Sequence, residues 1–174
     1  MPLLLVRHGH AGRRSAYKGD DRTRPLSKRG VAQARALVPL LSAYRPQRIL
    51  SSPYVRCFET VQPTADALGV AVESIEELAE GHGAETVALM RRMAGEPAVL
   101  CTHGDVALEV LEALSSADGP DGVAGDRLEG VGAGGGSPGG PLKKGEVWVV
   151  QSSGSRLVIA AHLKPGDDPL SVTG

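Results

Sequence analysis

Arginine and histidine side chains recur where short apolar segments of the sequence end. Arg7 and His8 follow the apolar run 3–6, and His103 comes shortly after the apolar run 98–101. Arg56 stands a few residues after a third run, 48–51. Arginine binds phosphate oxygens through two parallel hydrogen bonds, and a neutral imidazole can attack phosphorus as a nucleophile. These residue types predict a phosphate site in which one histidine is the nucleophile and the other donates to an oxygen that gains negative charge.

The elements that must position these residues alternate between strand and helix. Apolar runs predict strands at 3–6, 48–51, 70–72 and 98–101. The first helix is predicted to be capped by Ser27 and to run to about Tyr44, and further helices are predicted at 53–68, near 85–94, and after the stretch 102–105 to about Leu114. Two further runs, 147–150 and 157–160, predict a C-terminal hairpin. This order predicts an α/β three-layer sandwich with a mainly parallel central sheet flanked by helices. Because ligands bind at the carboxyl ends of parallel strands, Arg7, His8, Arg56 and His103 are expected to share one edge.

Local signals give finer expectations for the helices. Ser52 is predicted to cap the second helix, with Pro53 at its first position. In the first helix Val31, Ala34, Leu37, Val38 and Leu41 are predicted to form the buried face, Pro39 is expected to kink it, and Pro63 is expected to interrupt the second.

Length and composition describe one domain over residues 1–174. Cys57 and Cys101 are too few for a disulfide framework, which favours a reduced, cytoplasmic protein. No segment has the length of a signal peptide or a membrane span. An aromatic content of 3% argues against a nucleic-acid polymer as partner.

Residues 118–141 contain ten glycines and three prolines, which predicts a mobile insert. A monomer or weak dimer that needs no cofactor is expected.

The net charge of −1 hides a basic N-terminal segment. Residues 1–30 carry eight basic side chains against Asp20 and Asp21, a balance of +6. Such a cluster on an otherwise acidic chain indicates a local anion site, although a solvated charged loop gives the same pattern. For Arg14 and Lys18, substrate contact and simple solvation both remain open.

Three motifs together resemble the histidine phosphatase superfamily, which has the phosphoglycerate mutase-like fold. They are Arg7-His8-Gly9, the stretch 52–56 followed by Glu59-Thr60, and the stretch 102–105, and the resemblance covers residues 3–114. It implies that His8 is the phosphorylated nucleophile and that Arg7, Arg56 and His103 form the phosphate pocket. It also implies substrate-binding positions at Gly9, Ser52 and Gly104. A glycine after His8 would let the backbone approach the bound phosphate closely.

Finer features are similar to two groups within that superfamily. Ala11 and the stretch 24–27 resemble the short bacterial phosphohistidine phosphatases, in which the arginine before the proline, here Arg24, reaches the site. The stretches 18–26 and 144–148 resemble the histidine-phosphatase domain appended to certain Nudix hydrolases, which act on nucleotides. The implied substrate is therefore a phosphohistidine protein or a small phosphorylated metabolite or nucleotide.

The general acid is a separate question. Larger members of the superfamily use a glutamate two positions after a leucine, and Leu78-Ala79-Glu80 matches that spacing. Glu80 is the candidate, although a charged solvated turn also explains this stretch.

Other functions are compatible with parts of the pattern. His8 and His10 form a His-x-His pair that could bind zinc, but no further ligand follows at a suitable spacing, so no metal is expected. A phosphoglycerate-type mutase and a non-catalytic phospho-ligand binding module are the alternatives. The intact nucleophile favours an enzyme over a binder, and the short chain favours hydrolysis over the mutase reaction.

Overall fold

Six strands form one sheet in the computed structural model, which describes residues 1–116 and 140–169. In chain order they are β1 Leu3–Arg7, β2 Arg48–Ser51, β3 Val72–Ser74, β4 Ala98–Thr102, β5 Val147–Ser153 and β6 Arg156–Leu163. Their order across the sheet is β3-β2-β4-β1-β5-β6. The strands β3, β2, β4 and β1 are parallel to one another, whereas β5 runs antiparallel to β1 and forms a hairpin with β6.

Two pairs of helices cover the sheet. The helices are α1 Lys28–Ala43, α2 Val55–Leu68, α3 Gly83–Arg92 and α4 Gly104–Ser115. Because successive strand residues face opposite sides of a sheet, Leu4 and Val6 pack with α1 and α2, whereas Leu3 and Leu5 pack with α3 and α4. The predicted three-layer α/β sandwich with a C-terminal hairpin is confirmed.

The predicted cap of α1 is confirmed, whereas its predicted buried face needs correction. Ser27 caps α1, since its hydroxyl accepts from the Gly30 amide at 3.2 Å. The buried face of α1 passes through Gly30, Ala34, Leu37 and Leu41, so Val31 lies beside it and is 37% exposed.

Neither helix is interrupted by its proline. The helices α1 and α2 continue through Pro39 and Pro63, which shows that packing of their apolar faces outweighs the hydrogen bond each proline removes. The predicted interruption at Pro63 is therefore wrong.

The third strand begins later than predicted. Gly69 ends α2 with a left-handed φ of 68°, and the Val70 amide still donates to the Ala65 carbonyl of that helix at 3.1 Å. The strand can form only once the chain has left this helix end, so it begins at Val72 rather than at Val70.

Most of the predicted insert at 118–141 lies outside the described residues. Within the described residues, none of the helices is long and apolar enough to cross a membrane.

Candidate active site

The ends of β1 and β4 meet at the carboxyl edge of the sheet, as the parallel arrangement requires. Strands β1 and β4 are neighbours with Arg7 opposite Thr102, and the His8 amide donates to the Thr102 carbonyl at 3.0 Å. His8 and His103 therefore follow directly from adjacent strand ends. Their ring centroids are 5.3 Å apart and the rings are inclined at 66°. Both side chains line one pocket of about 730 Å³.

The hydrogen bond of His8 fixes which ring nitrogen can attack. Its Nδ1 lies 2.8 Å from the Gly9 carbonyl, which can only accept, so Nδ1 carries the proton. The lone pair is therefore on Nε2, which lies 3.4 Å from Nε of Arg56. Burial lowers the pKa of His8 to about 3, and the charges of His103, Arg56 and Arg7 act in the same direction. The imidazole is neutral at ordinary pH, as a nucleophile must be.

Gly9 is placed differently from the expectation that it faces the phosphate. Its amide donates to Thr60 Oγ1 at 2.9 Å, and a Cβ at this position would lie 3.2 Å from the Gly30 carbonyl oxygen of α1. Gly9 does not line the pocket. The missing side chain lets the loop after β1 pack on α1, which holds the neighbouring His8 in place.

Arg7 lies along the wall of the pocket over the start of α4. Its Nη1 donates to the Leu142 carbonyl at 2.9 Å, whereas its buried Nε has no hydrogen-bond partner among the described residues. A Cβ at Gly104 would lie 2.5 Å from Cζ of Arg7, so a larger residue there would displace the guanidinium from this position. Burial lowers the pKa of Arg7.

Arg56 is the most enclosed cation of the site, with 1% of its surface exposed. It is the second residue of α2. Its Nη1 donates to the Asp21 carbonyl at 2.8 Å, and its Nη2 donates to Asp21 Oδ2 at 3.0 Å and to Glu80 Oε1 at 2.7 Å. The guanidinium also packs 4.8 Å from the ring centroid of Tyr54. These contacts hold the charge of Arg56 beside His8.

Ser52 orients His103 rather than capping a helix. The N-cap position of α2 is Tyr54, and Ser52 Oγ lies 2.8 Å from Nε2 of His103. The Tyr54 amide donates to the same oxygen at 3.3 Å. Nδ1 of His103 lies 3.5 Å from Glu80 Oε1, which can only accept, so we place the ring proton on Nδ1, and the Ser52 hydroxyl then donates to Nε2. Burial, followed by the charge of Arg56, lowers the pKa of His103 to about 3.

Replacing Ser52 with alanine should weaken this orientation. Without the hydroxyl, the protonated ring nitrogen of His103 is no longer fixed, and the fraction of molecules that present Nδ1–H to the pocket falls. We expect kcat to fall by roughly 10-fold, the value of one well-placed hydrogen bond, with little change in KM. Steady-state kinetics measure this effect. Recovery of most of the activity in Ser52→Thr, which keeps the hydroxyl, distinguishes orientation from a packing defect.

Glu80 lies at the mouth of the pocket, close to both histidine and arginine groups. Its Oε1 accepts from Arg56 and from Arg14 Nη2, the latter at 2.8 Å. The loop is anchored because Leu78, two positions earlier, is buried and its carbonyl accepts from Thr102 Oγ1 at 2.7 Å. The two-residue spacing thus separates Leu78, which anchors the loop, from Glu80, which lines the pocket.

The remaining residues expected to bind substrate fall into three groups. Arg14 and Gly104 line the pocket, although the Arg14 side chain is 62% exposed. Arg24 lines it too, but its guanidinium is buried and donates to Asp21 Oδ1 at 2.8 Å and to the Ala11 carbonyl at 2.7 Å. Lys18 is exposed and does not line the pocket.

Asp21 and Lys144 are site residues that the sequence analysis did not select. Asp21 links Arg24 to Arg56. Burial raises the pKa of the Asp21 carboxyl, but the hydrogen bond from Arg24 and the charges of the neighbouring arginines lower it, and the net shift is downward. Lys144, the third residue before β5, also lines the pocket. The pairing of β5 with β1 is the signal that would have placed Lys144 beside Arg7.

The two buried histidines give the stability of the protein a specific pH dependence. Their pKa values near 3 lie below the ordinary value of 6.5, so below pH 6.5 the unfolded chain binds more protons than the folded chain. The free energy of unfolding should therefore fall as the pH drops from 6.5 towards 3. At pH 4 the loss is of the order of 3 kcal/mol for each histidine.

Urea titrations at pH 7 and pH 4 measure this loss. Protonation of carboxylates also changes the free energy of unfolding over this interval. His8→Gln keeps the carboxylates and lacks the imidazole, so it should lose less stability between pH 7 and pH 4 than the unaltered protein. Equal losses in both proteins would contradict a buried, neutral His8.

Comparison with known proteins adds independent findings. Residues 3–91 match the model of the histidine phosphatase superfamily (branch 1). Over 172 residues the chain is 38% identical to the 8-oxo-(d)GTP phosphatase of Mycolicibacterium smegmatis. That match covers 95% of this chain and 49% of the relative, so the chain spans about half of the relative's length.

Solved structures show the same fold. The protein histidine phosphatase SixA complexed with tungstate gives a TM-score of 0.69 at 20% identity, over 95% of this chain and 97% of that one. The mycobacterial glucosyl-3-phosphoglycerate phosphatase complexed with VO3 gives a TM-score of 0.65 at 16% identity, over 90% and 95% of the two chains.

Proposed function

Because the chain belongs to the histidine phosphatase superfamily, we propose that it is a phosphatase that hydrolyses its substrate through a phosphohistidine intermediate on His8. One observation carries the proposal: the Gly9 carbonyl holds the proton on Nδ1, and the lone pair of Nε2 is beside Arg56 in the pocket. A histidine that served only to pack the core would have no need of two arginines and a second imidazole around this nitrogen.

In the first step Nε2 of His8 attacks phosphorus while the bond from phosphorus to the leaving oxygen breaks. Negative charge increases on the equatorial oxygens, and Arg7, Arg56 and the Nδ1–H of His103 are the donors placed to stabilise it. In the second step water attacks phosphorus, the electron pair returns to Nε2, and inorganic phosphate is released.

Glu80 is proposed to carry the proton in both steps. A bound phosphoryl group competes with Glu80 for Arg56 and Arg14, so substrate binding loosens the ion pairs that hold the carboxyl group. A substrate phosphoryl group that binds as the monoanion can pass its proton to the released carboxylate. Glu80 then gives this proton to the leaving oxygen and afterwards takes one from the attacking water.

The substrate is proposed to be a phosphohistidine protein or a small phosphorylated metabolite or nucleotide. The fold shared with SixA supports the first class, and the relative named as an 8-oxo-(d)GTP phosphatase supports the second. The reaction is proposed to need no metal ion, since arginine and histidine side chains supply the positive charge and the hydrogen-bond donors. Within the described residues, no group of three or more His, Cys, Asp and Glu side chains is arranged to hold a metal ion.

The test is a phosphate-release assay of the purified protein on a phosphohistidine protein, nucleotides, sugar phosphates and an aryl phosphate, each with and without EDTA. We expect turnover of at least one substrate, unchanged by EDTA and inhibited by vanadate, whose trigonal-bipyramidal form imitates in-line transfer. Loss of activity in EDTA with recovery in zinc would support a metal hydrolase instead.

A further inference from the structure

Lys144 stands beside the nucleophile although it is far from it in sequence. The amide of the next residue, Gly145, donates to the carbonyls of Arg7 at 3.0 Å and His8 at 3.2 Å. On the other side, Gln33 Nε2 donates to the Lys144 carbonyl at 3.2 Å. The backbone of Lys144 is thus fixed between β1 and α1, and its half-buried side chain lines the pocket that contains His8 and His103.

The charges around Lys144 differ from those around three of the four arginines of the pocket, which have carboxylate partners. Arg14 and Arg56 both pair with Glu80, and Arg24 pairs with Asp21. In the part of the chain that the structure describes, no carboxylate forms an ion pair with Lys144. Burial lowers the pKa of Lys144, and the charged groups that act on it most strongly, Arg7, Arg24, Arg29 and Arg56, are all cations.

Because the described residues supply no carboxylate partner to Lys144, an anionic ligand in the pocket would be a favourable partner for its charge. The transferring phosphoryl group already has Arg7, Arg56 and His103 as partners, and a pocket of about 730 Å³ is much larger than one such group. The ammonium of lysine pairs with phosphate as a point charge. An anion at Lys144 would therefore belong to the part of the substrate beyond the transferring group.

We propose that Lys144 forms a subsite for a second phosphoryl group, so that the preferred substrates are di- or triphosphate esters whose terminal phosphoryl group moves to His8. This inference rests on the proposed function and narrows its substrate class to small molecules, since a phosphohistidine side chain carries a single phosphoryl group. The bond from the terminal phosphorus to the bridging oxygen breaks, its electron pair stays on that oxygen, and Lys144 pairs with the shortened ester that leaves.

The test compares ADP with AMP, which differ by one phosphoryl group, in the unaltered protein, in Lys144→Gln and in Lys143→Gln. Lys143 is the matched control, because it is exposed and lies outside the pocket. We expect Lys144→Gln to lower kcat/KM for ADP by roughly 10-fold more than for AMP, the strength of one charge-assisted hydrogen bond. Lys143→Gln should change neither value by more than about twofold, as is usual for an exposed charge. Lys144→Arg should restore the preference for ADP.

Equal effects of Lys144→Gln on ADP and AMP would overturn the subsite. An equally large effect on phosphoglycolate, whose second anion is a carboxylate, would show a general anion site and overturn the phosphoryl assignment.

A binding measurement distinguishes failure of this inference from failure of the proposed function. Calorimetry with inorganic pyrophosphate and inorganic phosphate measures affinity without turnover. The unaltered protein should bind pyrophosphate more tightly than phosphate, and Lys144→Gln should lose that difference. If this difference appears while no substrate is hydrolysed, the proposed function fails and the subsite stands. If hydrolysis occurs but pyrophosphate binds no better than phosphate, the subsite fails alone.

Discussion

Replacing His8 with alanine is expected to lower kcat by at least about 1000-fold for every substrate, because the proposed nucleophile of the covalent intermediate is then missing. The protein should remain folded and still bind phosphate, since Arg7 and Arg56 are held by their own contacts with the Leu142 carbonyl and with Asp21. Phosphate-release kinetics measure the loss, and circular dichroism with a thermal melt checks the fold.

His10→Ala is the matched control for this experiment. His10 lies two residues further along the chain and outside the pocket, and its Nδ1 is 2.6 Å from Ser27 Oγ. Its removal should leave most of the activity. If both variants lose activity and zinc restores the unaltered protein after EDTA, the His-x-His pair binds a metal and the nucleophile assignment is wrong.

Replacing Glu80 with glutamine should make the rate depend strongly on the leaving group. Glutamine keeps an oxygen that can accept from Arg56 and Arg14 but cannot carry a proton. An alkyl phosphate needs a protonated leaving oxygen, so its kcat should fall by about 100-fold or more. The p-nitrophenolate of p-nitrophenyl phosphate leaves without this help, so the rate constant of the first step should fall much less for this substrate.

Glu77→Gln is the comparison variant, because Glu77 belongs to the same acidic stretch and pairs with the exposed Arg92 at 2.8 Å. It should affect neither substrate. Equal losses for alkyl and aryl phosphates in single-turnover measurements of Glu80→Gln would assign Glu80 to binding alone and leave the general acid elsewhere.

The sequence was sufficient to predict which strand ends meet. Apolar runs located β1, β2 and β4, and the rule for parallel strands placed Arg7, His8, Arg56 and His103 at one edge, where the structure has them. The roles of these side chains in catalysis remain predictions that the experiments above address.

Side-chain partners and distant pairings were harder to predict. Ser52 followed by proline has the pattern of a helix cap, yet its hydroxyl is taken by His103, a contact between residues 51 positions apart. Arg24 was expected at the phosphoryl group, but most of its donors are directed to Asp21 and to backbone carbonyls. Lys144 was missed because its place depends on the antiparallel pairing of β5 with β1. Such contacts depend on how the elements pack, which local patterns do not specify.

Rapid acid-free quenching of the enzyme with ³²P-labelled substrate is the most direct test of the central claim. Denaturation in alkali within milliseconds of mixing should trap a phosphoryl group on the protein. This group should be stable to base, lost in acid and located on His8 by peptide mapping. The phosphorylated protein should form at least as fast as phosphate is released. It should be absent from His8→Ala. Label on a serine or cysteine, or rapid phosphate release with no labelled protein and with inverted stereochemistry at phosphorus, would contradict the phosphohistidine mechanism.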